Sequence, residues 1–143
     1  MKPDKSIRDI CIAAIKRSTI PPFDFPYTFI YEEGDEIENI QVSNSVILQD
    51  NESLICSTII DEKIWTVLTT RRIFSFEGVG LKEHSLLNIN KWDFGDFKDY
   101  SKQTFTKGFL SFEDGNIVPV FVETGRASMV MIYGIMTFNK QVR

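Results

Sequence analysis

The stretch TVLTTRRIFSFEG (residues 66–78) decides the fold, because it holds parts of two strands and the connection between them. Its second half alternates, which predicts Phe74 and Phe76 on one face of a strand. The two adjacent arginines in this apolar stretch allow two interpretations. Either Arg71 and Arg72 bind an anionic ligand, or they belong to a turn between the strands.

Aromatic and β-branched runs recur about every ten residues on both sides of this stretch, with turn residues between them. The predicted strands are PYTFIY (26–31), SVILQ (45–49), SLICSTII (53–60), KIWTVLTT (63–70), RIFSFEG (72–78), LKEHSLL (81–87), NINKWDFGDF (88–97), FTKGFLSFE (105–113) and NIVPVFVE (116–123). Asp114-Gly115 favours a tight hairpin, and Pro119 places the strand after it at an edge or a bulge. The pattern predicts one antiparallel sheet that curls into a barrel or sandwich.

An amphipathic helix is predicted at the start of the chain, over residues 6–18. Its apolar side chains fall on one stripe, and Ser6 with Asp9 suggests a capping box. The following Pro-Pro pair ends the helix. Residues 1–22 are therefore expected to be a helical extension that packs on the domain, with a partner or membrane surface as the minority interpretation.

The end of the chain, residues 124–140, is apolar nearly all round. Its length without a turn signal favours a helix over about residues 125–140, with a strand at Met129–Tyr133 as the alternative. Such a helix is expected to cap the sheet and to be buried on more than one side. Residues 23–143 are expected to form one β domain that includes this helix.

The composition is that of one globular domain of 143 residues that needs neither a metal nor a disulfide to fold. Cys11 and Cys56 lie in no zinc-binding pattern and fit a reducing compartment, although a disulfide between them stays open as an alternative. The first ten residues are too charged for a signal peptide, and no apolar run approaches the ~20 residues of a membrane helix. We expect a cytoplasmic protein without stable membrane insertion.

Charge is unevenly distributed along a chain whose net charge is −4. Lys and Arg are absent from Ser18 to Glu62, while ten acids occur there. This pattern argues against nucleic acid as a partner, because phosphate binding needs clustered cations. The interpretations left are a solvated acidic face and a docking surface for a basic partner. The candidate docking residues are Glu32, Glu33, Asp35, Glu36 and Glu38.

A second candidate surface is KWDFGDFKDY (91–100), where acids recur every three residues between aromatic side chains. The spacing of a calcium-binding EF-hand loop is absent. The stretch is either a strand with an irregular end or an aromatic and acidic patch that receives a partner's side chains. The candidate residues in this patch are Trp92, Asp93, Asp96 and Tyr100.

The sequence offers no catalytic constellation. His84 is the only histidine, so one chain cannot supply a metal site with two histidines. Neither a phosphate-binding loop nor a G-x-G-x-x-G motif occurs, and nothing resembles a nucleophile elbow. We expect a protein that is not an enzyme and that has no catalytic residue, metal or cofactor.

The stretch DEKIWTVLTTRRIFSFEG (61–78) resembles the strand–turn–strand of bacterial pleckstrin-homology-like (PH-like) domains. Those domains share an aliphatic strand, Leu-Thr, one or two polar residues, Arg and an apolar strand, which here is VLTTRRIF (67–74). The resemblance covers about residues 40–140 and leaves the N-terminal helix as an addition. It implies a mainly β (α+β) fold, an antiparallel PH-like barrel or sandwich with a capping C-terminal helix.

The resemblance also favours the structural interpretation of the arginines. It implies that Thr69, Thr70, Arg71 and Arg72 form a turn in which hydroxyls bond the backbone and a guanidinium lies on a carboxylate or loop carbonyls. Eukaryotic relatives grip phosphoinositides with basic residues near the first hairpin. Here the corresponding strands fall in the acid-only stretch, so phosphoinositide binding is not expected.

These features predict a binding module whose partner is another protein or a second copy of the chain. Its acidic surface would dock a basic partner, for example as an inhibitor or immunity-like protein of a basic toxin. The alternative is a small-molecule or lipid-binding module with a cavity in the barrel. A filled interior favours the first function, and a sizeable apolar cavity favours the second.

Overall fold

Most elements of the described chain are strands, with a helix near each end. The computed structural model describes residues 2–78, 80–98 and 102–141. The elements are α1 (Asp4–Ser18), β1 (Thr28–Ile30), α2 (Ile40–Ser45), β2 (Leu54–Asp61), β3 (Ile64–Thr69), β4 (Arg72–Glu77), β5 (Gly80–Ser85), β6 (Ile89–Asp93), β7 (Phe105–Phe112), β8 (Ile117–Glu123) and α3 (Ser128–Gln141). A short 3-10 helix, Gly125–Ala127, leads into α3.

The strands form two antiparallel sheets, one of five strands in the order β1-β2-β3-β4-β5 and one of three in the order β6-β7-β8. The mainly antiparallel β architecture with terminal helices is thus confirmed. Of the predicted barrel or sandwich, the closed barrel is wrong, because the described strands are divided between two sheets. The chain leaves the first sheet at Asn88, whose φ of 63° turns it away, and β6 then pairs with β7.

The main core lies between the sheets and the two terminal helices. Leu68 and Ile73 of the central hairpin contribute to it, with Leu110 from the second sheet. Helices α1 and α3 pack on each other here, and Gly134 lets α3 lie close to the five-stranded sheet. A Cβ at Gly134 would lie 2.9 Å from a side-chain carbon of Leu68. The terminal helices therefore complete the core.

A second cluster covers the opposite face of the five-stranded sheet. Val67 and Phe74 of the central hairpin lie on this face, so the predicted alternation of the hairpin is correct. The segment between β1 and β2 crosses it and buries Ile37, Val42 and Val46. This sheet is consequently covered on both faces in its middle.

Three local expectations are wrong. The predicted strand at 45–49 instead begins with the last residue of α2 and continues as irregular chain, because Val42 and Val46 cover a sheet face and Ile47 is 70% exposed. The strand predicted over 88–97 ends at Asp93. The first helix begins before the proposed capping box, at Asp4, with no side-chain cap.

The alternative of a strand at Met129–Tyr133 is also wrong, since these residues lie in α3. Among the described residues, no helix is both long enough and apolar enough to cross a membrane.

Candidate functional site

The Thr69–Arg72 segment connects β3 to β4. The Thr69 hydroxyl oxygen accepts the backbone N–H groups of Arg71 at 3.1 Å and Arg72 at 2.9 Å. The same hydroxyl donates to the Glu52 carboxylate at 2.6 Å. A threonine side chain thus closes the turn that glycine often closes in other hairpins.

Arg72 lies along this turn and forms a bidentate ion pair with Glu52. Its Nε and Nη2 donate to the two carboxylate oxygens at 3.0 and 2.5 Å, and Nη1 donates to Glu83 at 2.8 Å. The guanidinium also lies 4.5 Å from the centre of the Phe74 ring. Burial alone would raise the pKa of Glu52, but hydrogen bonds from Arg72, the Gln49 N–H and Thr69 hold it below its ordinary value.

Arg71 binds the start of the N-terminal helix. Its Nε and Nη2 donate to the two carboxylate oxygens of Asp4, each at 3.0 Å, and Nη2 also donates to the Asp50 carbonyl at 2.9 Å. Thr70 donates to Asp4 at 2.6 Å. Burial opposes ionisation of Asp4, yet these hydrogen bonds keep its pKa below the ordinary value. Both arginines are therefore bound to carboxylates of this chain.

A groove of about 730 Å³ opens beside β1, and it collects part of the first candidate surface. It is lined by Pro26, Tyr27, Phe29, Ile30, Tyr31, Gly34, Asp35, Glu36, Glu38, Asn39, Ile59, Ile60 and Asp61. Three of the five acidic candidates thus meet Asp61, which comes from the end of β2. The antiparallel pairing of Thr28 with Thr58 brings the two segments together.

The carboxylates of the groove have no ion-pair partner among residues 2–78, 80–98 and 102–141. Asp35 accepts the Glu32 N–H at 2.7 Å, and Asp61 accepts the N–H groups of Lys63 and Ile64 at 2.7 and 3.0 Å. In the part of the chain that the structure describes, no Lys or Arg lines the groove. It therefore presents uncompensated negative charge to solvent.

The groove also presents apolar surface that the sequence analysis did not assign to a site. Phe29 is 42% exposed, and Ile40, which follows Asn39 of the groove, is 73% exposed. Tyr31 at the base is fixed by a 2.7 Å hydrogen bond between its hydroxyl and Ser57, and burial raises its pKa to about 12. The available signal was the aromatic run 26–31, directly followed by the acidic loop.

The remaining acidic candidates do not line this groove. Glu32 forms an exposed ion pair with Lys16 at 2.8 Å. Glu33 lines a separate groove near the start of α1, which also contains Arg8 and Lys5. The acidic side chains of residues 32–38 therefore belong to different surfaces of the domain.

The second candidate surface is largely engaged within its own sheet. Trp92 packs against the main core, with its ring 6.3 Å from that of Phe94. The Asp93 carboxylate accepts the Gly95 N–H at 2.7 Å, and Asp96 is exposed. Tyr100 lies outside the described residues. Of the described residues of this surface, Trp92, Asp93 and Asp96 do not line the acidic groove.

Reactive side chains are held in unreactive surroundings. Cys11 and Cys56 are free and buried, and burial raises the pKa of the Cys11 thiol to about 12 and that of Cys56 as well. The thiols therefore stay protonated near neutral pH. In the part of the chain that the structure describes, no three His, Cys, Asp or Glu residues are grouped so that they could hold a metal ion.

No protein-family model, no curated protein and no solved structure matches this chain.

Proposed function

We propose that this chain is a non-enzymatic binding module whose acidic groove docks a basic protein partner. The observation that carries the proposal is the groove beside β1, where Asp35, Glu36, Glu38 and Asp61 converge without a cation of the described chain. Such a field attracts cations over several ångströms and accelerates encounter with a positively charged partner. It repels phosphate, so neither nucleic acid nor a phosphoinositide fits this groove.

A protein partner is favoured over the two other occupants. A second copy of the chain would carry the same acidic groove and a net charge of −4, so groove-to-groove contact is repulsive. A lipid or other small molecule inside the domain is disfavoured because side chains from both sheets and both terminal helices meet in the main core. An inhibitor or immunity-like role against a basic protein is one form of this function.

The fold and location belong to the same proposal. We propose a PH-like domain in the cytoplasm. The run of strands β2–β8 followed by the final helix α3 supports this proposal, since the resemblance implies strands closed by one C-terminal helix. The free thiols of Cys11 and Cys56 accord with a reducing compartment.

The test is affinity capture from cells of the source organism, followed by titration calorimetry with the captured protein. Glu36→Lys and Glu38→Lys should each weaken binding, and higher salt should weaken it further. Glu113→Lys is the matched control, because it makes the same charge change at an exposed site in the turn between β7 and β8. A captured protein that binds both groove variants as tightly as the unmodified chain would contradict the proposal.

A further inference from the structure

The groove combines two kinds of surface, and together they specify what part of a partner it takes. We infer that it receives a segment of the basic partner in which arginine or lysine side chains alternate with apolar ones. The cationic groups would meet Glu36, Glu38 and Asp61, and the apolar side chains would cover Phe29 and Ile59. The inference rests on the proposed function and adds the docking site and the chemistry of the segment.

Charge alone does not define this segment. An exposed ion pair is worth only up to about 1 kcal/mol, or about a factor of five in affinity. Covering apolar surface adds about 25 cal/mol for each square ångström. Phe29 is 42% exposed beside the carboxylates, so a partner that covers its ring gains affinity that a purely cationic partner lacks. This difference favours a protein segment over a polyamine.

The loop that carries Asp35, Glu36 and Glu38 of the groove is held in place before any partner binds. Ile37 in the middle of the loop is buried in the second core cluster. The Asp35 N–H donates to the Glu32 carbonyl at 3.0 Å, and Asn39 caps α2 by accepting the Val42 N–H at 3.1 Å. Glu36 and Glu38 therefore flank an anchored residue, and little ordering entropy is lost when a segment docks.

Defined probes test the inference on the full chain. They are the peptide Ac-RLRLR-NH2, its acidic counterpart Ac-ELELE-NH2 and spermine, each titrated at low salt by calorimetry and by NMR amide shifts. The RLRLR peptide should bind more tightly than spermine, ELELE should not bind, and the shifts should centre on residues 26–39 and 59–61. Glu36→Gln with Glu38→Gln should weaken peptide binding at least about fivefold. Glu113→Gln should leave it unchanged.

The apolar part of the groove is tested separately. Phe29→Thr, which keeps a strand-forming residue, should weaken the peptide several-fold and leave spermine unchanged. Ile117→Thr is the matched control, because Ile117 is also exposed in a strand but lies outside the groove. If Phe29→Thr lowers the melting temperature, nuclear Overhauser contacts between peptide leucine methyls and the Phe29 ring in the unmodified chain decide the point.

Equal affinity for spermine and the peptide, shifts centred on Trp92–Asp96, or no peptide binding would each overturn the inference. These failures are distinct from failure of the proposed function. A captured basic protein that loses affinity with Glu36→Lys but not with Phe29→Thr would support charge-driven docking. It would contradict the inference that the bound segment alternates cationic and apolar side chains. A captured protein whose affinity changes with neither substitution would contradict both the proposed function and this inference.

Discussion

The hydroxyl oxygens of Thr66 and Ser75 lie 2.7 Å apart in the buried interface between the two sheets. Together they form hydrogen bonds with backbone groups on the edge of β8 that faces away from β7. Thr66 accepts the N–H of Phe121 at 2.8 Å, and Ser75 donates to the carbonyl of Pro119 at 2.6 Å. Because the Ser75 proton goes to Pro119, Thr66 must donate to Ser75. Side chains of one sheet thus satisfy the backbone edge of the other.

Thr66→Val should lower the free energy of unfolding by about 2 kcal/mol, because the shape is kept while the buried Phe121 N–H loses its acceptor. Urea denaturation at pH 7 measures the change. Thr58→Val is the matched control, since the Thr58 hydroxyl is buried and has no hydrogen-bond partner among the described residues. Removing that hydroxyl should be neutral or stabilising, and an equal loss in both variants would refute the role given to Thr66.

Gly108→Ala should destabilise the protein by about 3 kcal/mol, because an added Cβ would lie 1.9 Å from the Asp93 carbonyl oxygen and 2.7 Å from the Phe94 Cα. Backbone atoms cannot move aside as a flexible side chain would. Gly80→Ala is the control, as no heavy atom lies within 4 Å of the Cβ it would add. Thermal unfolding of both variants gives the comparison, and a Gly108→Ala protein as stable as Gly80→Ala would contradict this account.

The local features of the fold were predictable from the sequence because they depend on neighbours in the chain. The alternation of Phe74 and Phe76, the hairpin at Asp114-Gly115 and the placement of Pro119 on an edge strand all appear in the structure. The failure at 45–49 has a physical cause. A short apolar run has the same pattern whether it pairs as a strand or lays Val46 on a sheet face.

Features that join distant segments were not predictable. Closure of the barrel would require another strand to pair with the outer edge of β8. The hydroxyls of Thr66 and Ser75 instead form hydrogen bonds with the backbone groups of that edge. The acidic candidates could be identified from the run of acidic residues in the sequence. Their proximity to Asp61, however, depends on the pairing of β1 with β2. The carboxylate that binds Arg71 lies 67 positions away, at Asp4. No local pattern encodes that contact.

Arg72→Ala should lower the free energy of unfolding by about 3 kcal/mol, because it leaves the carboxylate of Glu52, whose side chain is fully buried, without its cation. Arg72→Lys should recover only part of the loss, since an ammonium group cannot form the bidentate pair. Urea denaturation at pH 7 measures both variants.

Arg71→Ala is the comparison for Arg72→Ala. The Arg71 side chain is 37% exposed, against 18% for Arg72, so water screens its pair with Asp4 and the loss should be smaller. A loss for Arg71→Ala equal to or larger than that for Arg72→Ala would show that burial of Glu52 does not set the energetics of this turn.

The single histidine should make stability fall as the pH rises above about 6.5. Burial of the His84 ring opposes its protonation. Hydrogen bonds to the Ser85 carbonyl at 2.6 Å and to Asp114 at 2.7 Å outweigh that cost and raise the pKa of His84 above 6.5. The Asn116 N–H and His84 lower the pKa of Asp114 to about 2, so that carboxylate stays ionised throughout.

The sign follows from the raised pKa. The contribution of His84 is fully present below about pH 6.5, where the folded and unfolded chains both carry the proton, and it is lost as the pH rises through the folded pKa. An NMR titration of the only histidine should give a midpoint above 6.5 in the folded chain and a lower one in Asp114→Asn. The chain unfolded in urea supplies the reference midpoint. A folded midpoint at or below that reference, or one that Asp114→Asn leaves unchanged, would show that the Asp114 contact does not stabilise the imidazolium.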